Sequence, residues 1–274
     1  MIIGKMVWRI GDIVDVFEQI NWIRDNGFQA VCFHTSPGVE GQWQGFCPFD
    51  RSEAEILQLQ EAVSSFETVD VHAPFTPYDI FLAARNPRVL ETCLKEVEQA
   101  IWLADRVGVE TVTIHADVTP GLKGSPEARS VMLESLKRLG EAAARSDVLI
   151  GAELTGDYEI VRETGLPNVG LTIDVGHVSM GDGAGYADYG SIGGLIKAFS
   201  DRVFAVHIHD YDGQHDHLEV GLGRIDFEDV LSALHGIGYG GSLMLEISPD
   251  RNPPEAILRS RDRLLELMEK LGTA

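Results

Sequence analysis

The chain has 274 residues, 44% hydrophobic and 24% charged, a balance that supports a sizeable buried core and excludes a disordered or fibrous chain. Its formal net charge of −21, from 43 acids against 22 basic residues, argues against a nucleic-acid partner, because phosphate binding needs clustered Lys and Arg. No apolar run approaches membrane-spanning length, the N-terminus turns polar too early for a secretory signal, and Cys32, Cys47 and Cys93 are too scattered for a disulfide framework, so a cytoplasmic protein with no membrane partner is expected.

In chain order, short apolar runs alternate with longer amphipathic ones. Ile2 to Val7 predicts a first strand and Ile13 to Asn26 a helix that Gly27 ends. Phe28 to His34 is the second strand, and the loop from Ser36 to Asp50 carries Trp43, Phe46 and Phe49 among glycines. Ser52 and Glu55, in capping-box spacing, open a helix that reaches about Phe66. Thr68 to His72 is the third strand. Asn86 followed by Pro87 starts a helix that runs to Gly108. Glu110 to His115 is the fourth strand, followed by a helix from about Ser125 to Arg145. The fifth strand spans Asp147 to Glu153 and is followed by a short helix through Val161; the sixth is Val169 to Asp174. A glycine-rich loop from Met180 to Gly190 leads to a helix over about Ile192 to Ser200 and a seventh strand, Val203 to His207. Asp226 caps the next helix, Leu243 to Glu246 is the eighth strand, and Asn252 with Pro253 opens the last helix.

Strict alternation of strand and helix argues a parallel sheet, and eight such units in this length argue one closed (β/α)8 TIM barrel forming a single domain over residues 1–274. A doubly wound nucleotide-binding sheet is the alternative, and neither GxGxxG nor GxxxxGK[ST] occurs to support it.

Six consecutive strands end in a metal-ligand residue type: His72, His115, Glu153, Asp174, His207 and Glu246. In a parallel barrel all these ends open on one face, where active sites lie. His177 follows Asp174 by three residues and can reach the same centre, and the stretch VHIHDYDGQHDHLEVGLGRI adds His209, His215 and His217. Strand alternation ranks His209 below His207; His34 is a substrate contact or a packed residue, and His235 a surface one. Glu153 and Glu246, on strands that face each other obliquely, suit proton transfer on two faces of a carbon next to a carbonyl. A metal would polarise that carbonyl and stabilise the enediolate, while Trp43, Phe46 and their loop would cover the site.

The segments HAPF, TIHAD, AELTGD, LTIDVGH, VHIHDYDGQHDHLEVGLGRID and LMLEIS together resemble the xylose isomerase-like TIM-barrel superfamily over nearly the whole chain. That superfamily includes ketose 3-epimerases, inositol-pathway isomerases and dehydratases, and the class II apurinic endonucleases. The resemblance to the epimerases implies one divalent ion, manganese or magnesium, on Glu153, Asp174, His207 and Glu246, with His177 a substrate contact. The resemblance to the endonucleases implies a zinc cluster of more than one ion, extending the ligands to His72, His115, His177 and His217. The aspartate of that branch's Asp-x-His pair falls on His215, unless the register shifts to Asp216.

The expectation is therefore a divalent-metal-dependent isomerase or epimerase of a sugar, sugar phosphate or cyclitol. Glu153 and Glu246 are its acid and base, and His72, His115, His177 and Trp43 its substrate contacts. The ion is Mn, Mg or Zn, one or more per chain, and a homo-oligomer is left open. The alternative is a zinc-dependent phosphodiesterase of the endonuclease type, opposed by the net charge of −21.

Overall fold

Val- and Ile-rich runs bounded by polar or glycine-containing turns pair side by side in parallel and close on themselves. The computed structural model describes residues 1–39, 43–75, 79–180 and 185–273. Its barrel strands are β1 (Ile2–Met6), β2 (Ala30–His34), β3 (Thr68–His72), β4 (Thr111–His115), β5 (Leu149–Glu153), β6 (Val169–Asp174), β7 (Val203–Ile208) and β8 (Ser242–Leu245). Each pairs with its sequence neighbour, and β1 closes the ring against β8. The helices between and after them are α1 (Val16–Asp25), α2 (Glu53–Val63), α3 (Pro87–Val107), α4 (Pro126–Ala143), α5 (Ile160–Glu163), α6 (Ile192–Ala198), α7 (Phe227–Gly236) and α8 (Glu255–Leu271). The architecture is the (β/α)8 barrel expected from the alternation. A two-residue hairpin, Gly38–Val39 with Trp43–Gln44, sits in the loop after β2. Among the described residues no helix is long and apolar enough to cross a membrane.

Local chemistry explains the helix ends. The Asn86 side chain accepts from the Arg88 N–H, Pro87 occupies the first helical position, and Gly108 closes α3 at φ +80°, where a side chain would be strained. Replacing such an N-cap by Ala costs about 1 kcal/mol. Helix α2 carries the capping box between Ser52 and Glu55. Two starts differ from expectation. Helix α1 begins at Val16 because the Asp15 carboxylate accepts from Phe17 and Glu18, while Ile10 and Ile13 pair in a small antiparallel bridge. Helix α8 begins only at Glu255, because the Asn252 side chain serves the loop after β7 instead.

The barrel's outer face and the helices share the main apolar core, in which Val31, Phe33, Val71, Val112, Ile150, Leu171, Val206 and Leu243 are buried. Each fully buried side chain of this size contributes about 1.5–3 kcal/mol. Inside the barrel a small cluster of Met6, Ala30, Cys32 and Met244 is joined by polar contacts, including Thr113 to Thr172 at 2.9 Å and Ser242 to Asp70 at 3.0 Å. Lys5 on β1 is wholly buried, and its ammonium donates to the Met6 carbonyl.

Register positions the site. His34 lies level with His72, His115 with Glu153, and Asp174 with His207. At the alternate junctions the level residue is two before the next site residue: His72 faces Thr113, Glu153 faces Thr172, and His207 faces Met244, two before Glu246. A step of two keeps side chains on the same face. Strand β7 needs a correction to join this scheme. Leu171 pairs with Val203 but Thr172 with Ala205, so Phe204 is an extra residue in a bulge. Beyond it Ala205 and His207 point into the barrel.

Candidate metal centre

The carboxylate of Glu153, at the end of β5, lies in the middle of a ring of imidazoles. Its Oε1 is 2.6 Å from His177 Nδ1, and its Oε2 is 3.3 Å from His115 Nε2, 3.4 Å from His207 Nδ1 and 4.0 Å from His72 Nε2. Glu246 approaches the same His207 nitrogen, with Oε1 at 2.9 Å. Asp174 stands between His209, 2.9 Å from its Oδ1, and His177, 3.4 Å from its Oδ2. Among the described residues, potential ligand atoms lie within 4.8 Å of one another in four overlapping groups: His72–Glu153–His207, Asp174–His207–Glu246, Glu153–Asp174–His177 and His177–His209–His217.

Hydrogen bonds fix which ring nitrogens carry protons. A carbonyl can only accept, so His72, with Nδ1 at 2.8 Å from the Ala73 carbonyl, and His217, with Nδ1 at 3.0 Å from the Glu246 carbonyl, hold their protons on Nδ1. Their Nε2 lone pairs face the centre. That is how metal-ligating histidines are oriented from behind. His177 lies between Glu153 and His217, with its Nε2 3.2 Å from His217 Nε2. Burial works against its charge, but Asp174 and Glu153 outweigh burial and push its pKa up to about 10. Burial and the neighbouring His209 pull His217 down to about 4, so a cationic His177 donates to a neutral His217. Burial and His115 likewise lower His72 to about 4.

The three carboxylates remain ionised although burial alone would raise their pKa values: His115, His177 and His207 hold Glu153 down, His207 holds Glu246 down, and His177 with His209 holds Asp174 down. His207 is pushed well above its ordinary value, against the effect of burial, by Glu246 and Glu153. Protons on imidazole thus occupy the place of a cation. Glu153 Oε2, Asp174 Oδ2, Glu246 Oε1, both ring nitrogens of His207 and Nε2 of His209 are buried without a well-aligned hydrogen bond. Buried polar atoms normally have partners, and a convergent set of carboxylate oxygens and imidazole nitrogens suits a divalent transition ion or magnesium. The residues present therefore fit such an ion.

The loop after β7 is built to present His217. Asp210 Oδ2 accepts from Gly221 and Gly223, and its Oδ1 from Tyr211 and Ile225, all within 3.1 Å. His217 adopts φ +52°, a conformation disfavoured for a side chain larger than glycine. Its N–H donates to His209 Nδ1, and its carbonyl accepts from Ser248 and Asn252. A residue held so firmly in a disfavoured conformation is a common mark of a functional site.

Several expected residues fall elsewhere. His215 does not join the cluster: half exposed, it is turned to solvent by Asp212, which accepts from its backbone and lies 3.2 Å from its ring. Asp216 comes nearer, with Oδ2 3.9 Å from His177 Nε2, while its other oxygen pairs with Arg251. Phe46 is no lid. It is fully buried against Phe17 and Phe33. The Trp43 side chain and residues 40–42 lie outside what the structure describes. His209 is in the site after all, since residues two apart on a strand share a face. Phe75, the last residue of HAPF, supplies the aromatic wall instead, with its ring 4.7 Å from His115 and 5.1 Å from His72. Trp8 lies edge-on to His217 at 5.1 Å. Asp210, Asn252 and Trp8 were missed because nothing local in the sequence says where a strand-end or loop side chain is aimed.

The chain is 28% identical to the protein MJ1311 of Methanocaldococcus jannaschii over 235 residues, spanning 80% of this chain and 76% of that one. It is 26% identical over 166 residues to an inosose isomerase of Halalkalibacterium halodurans, covering 53% of this chain and 56% of the isomerase. A D-tagatose 3-epimerase-like protein superimposes with a TM-score of 0.78 at 24% identity, over 99% of this chain and 98% of that one. The IOLI protein with a binding zinc atom does so with a TM-score of 0.78 at 20% identity, over 99% of both. At these identities the structural likeness shows a shared fold. Residues 20–267 match the family profile described as the xylose isomerase-like TIM barrel, and the chain belongs to that family.

Proposed function

We propose that this protein is a divalent-metal-dependent isomerase or epimerase of a sugar, sugar phosphate or cyclitol, acting by proton transfer next to a carbonyl. The observation that carries the proposal is the convergence of Glu153, Asp174, His207 and Glu246, whose buried ligand atoms lack aligned partners, at one rim of the barrel. The similarity to an inosose isomerase and the shared fold with a tagatose-epimerase-like protein support the substrate class. Those four residues would hold the ion; the fold shared with a zinc-bound protein makes zinc a candidate beside manganese and magnesium. Bound there, the ion supplies a Lewis acid for a carbonyl oxygen.

The chain's own residues do the rest. Ionised Glu153 and Glu246, meeting at His207 from β5 and the end of β8, are in the form that takes a proton from carbon, and the glutamic acid so formed is the donor that returns it. His177, between Glu153 and His217, is placed to contact a substrate oxygen. Phe75 with His72 and His115 forms one wall against which a sugar's C–H face can lie. Residues 1–274 act as one domain.

The endonuclease-type reading keeps one specific support: the grouping of His177 and His217 near Asp216, beside His72 and His115 around Glu153, offers ligands for a second ion. The net charge of −21 opposes a polyanionic substrate. The test is incubation with added manganese in deuterated water. Deuterium should enter the carbon beside the carbonyl of a ketose or inosose, and an abasic-site duplex should stay intact. Efficient duplex cleavage that Glu153→Gln removes would reverse the choice.

A further inference from the structure

We infer that His209 is a positioning residue for the metal centre, holding one oxygen of Asp174 so that the other faces the ion; the inference rests on the metal reading above. His209 belongs geometrically to a group of potential ligands with His177 and His217. Its proton assignment sets it apart. The His217 N–H donates to His209 Nδ1 at 2.8 Å. The Asp210 carbonyl, which accepts from the Leu218 N–H, lies farther from Nδ1 at 3.2 Å, and the His217 N–H needs an acceptor there. A neutral imidazole that accepts at Nδ1 carries its proton on Nε2, and that nitrogen then has no lone pair to give a cation. His72 and His217 are arranged the opposite way, donating from Nδ1 to carbonyls and leaving Nε2 open.

His209 Nε2 lies 2.9 Å from Asp174 Oδ1, close but out of hydrogen-bond alignment, and the same oxygen accepts from the His177 backbone N–H at 2.7 Å. One backbone donor and a close imidazole nitrogen thus occupy Oδ1. Oδ2 is left as the buried oxygen without a hydrogen bond, and it is the one free to ligate. The seat of His209 is shaped to fit. Its ring stacks on His217 with centroids 4.0 Å apart and is wholly buried. It lies over Gly176, where any β-carbon would overlap the imidazole. The glycine of the Asp-Val-Gly-His run is therefore required by the ring packed on it, and one histidine links the Asp174 strand end to the loop that carries His217.

The test is ion affinity of the full chain, stripped by chelator and titrated with Mn²⁺ or Zn²⁺ against a chelating indicator. Thermal unfolding of the ion-free proteins is measured in parallel. His209→Ala should weaken binding about 10- to 100-fold, the range for lost outer partners of a ligand, without changing the number of ions bound. His209→Gln can return an amide N–H toward Asp174 and should bind within about threefold of wild type. His209→Asn, whose amide reaches only the Nδ1 end, should bind as weakly as Ala. Because Gln and Asn differ in reach and share their chemistry, their comparison stands even if the Ala variant does not fold. Equal affinity of wild type and the variants overturns the inference, and so does loss of one bound ion per chain in His209→Gln, which would make His209 a ligand. A wild-type chain that binds no divalent ion overturns the metal reading itself, a result distinguishable from either.

Discussion

Both ends of the barrel bury carboxylates, and the two ends treat them oppositely. At the C-terminal rim Glu153, Asp174 and Glu246 are surrounded by imidazoles that hold them ionised against the effect of burial. Toward the other end Asp70 on β3 has a hydroxyl, Ser242, on one oxygen, and burial pushes its pKa up to about 6. A cavity of roughly 420 Å³ opens beside it, lined also by Glu110, Thr111 and Gly241. Residue type and depth are alike, so what separates a candidate reactive centre from a structural acid is the company each carboxylate keeps.

The largest expected effect breaks the comparison at the rim. Glu153→Gln and Glu246→Gln should each lower turnover of an accepted sugar by about 10³-fold or more, since an amide keeps the shape but cannot carry the proton. Asp70→Asn should leave turnover within about twofold. Steady-state assays of the three variants against wild type would check this, and a loss in Asp70→Asn equal to the others would erase the distinction between the ends.

Next in size is the buried cation. Burial lowers Lys5 from 10.5 to about 7 although Glu246 opposes the shift. The cost to stability is fully present below pH 7 and fades as pH rises toward 10.5, because over that range the unfolded chain holds the proton and the folded one does not. Lys5→Met should therefore raise stability near pH 7 by about 1–4 kcal/mol, as when other buried charges are replaced by apolar residues. Denaturant unfolding at pH 7 and pH 10 should show the gain shrinking at the higher value.

An ion at 100 times its dissociation constant should stabilise the fold by about 2.7 kcal/mol. Asp70→Asn should keep that increment and Asp174→Asn should lose most of it, which differential scanning with and without Mn²⁺ would show. The smallest effect belongs to Asp70 itself. Its folded pKa of about 6 exceeds the ordinary 3.8, so it costs stability above pH 6, and the cost disappears as pH falls below 3.8. The shift corresponds to about 3 kcal/mol at most, and the lost Ser242 contact reduces what Asp70→Asn can regain to about 1–2 kcal/mol. Unfolding midpoints at pH 5 and pH 8 should differ between the two proteins more at pH 8.

Much of the fold was legible because period-two strands and capped helices carry their own signals, as Asn86, Ser52 and Gly108 illustrate. Bringing His72, His115, Glu153, Asp174, His207 and Glu246 to one end followed from parallel strands alone. Aim was less legible. Phe46 and Phe75 both stand in loops among small or polar residues, and only tertiary packing sends one to the core and the other to the site. His215 and Asp216 are adjacent, and the turn made by Asp212 decides which of them faces inward. Asn252 before Pro253 has the composition of a helix start, but its amide donates to the His217 carbonyl, a partner 35 residues away.

The bulge at Phe204 has a consequence for how this chain tolerates indels. If the strand kept all its residues but paired in step from Leu171 and Val203, with no bulge, Val206 would stand opposite Asp174 where His207 now does. A one-residue slip exchanges the two faces of a strand. Absorbing Phe204 into a regular ladder would turn His207 toward the helices and Val206 into the barrel, whereas deleting Phe204 outright would let the ladder run in step with His207 still opposite Asp174. A homologue that lacks this residue can therefore keep the centre on a regular strand, while a chain that carries it must also keep the bulge.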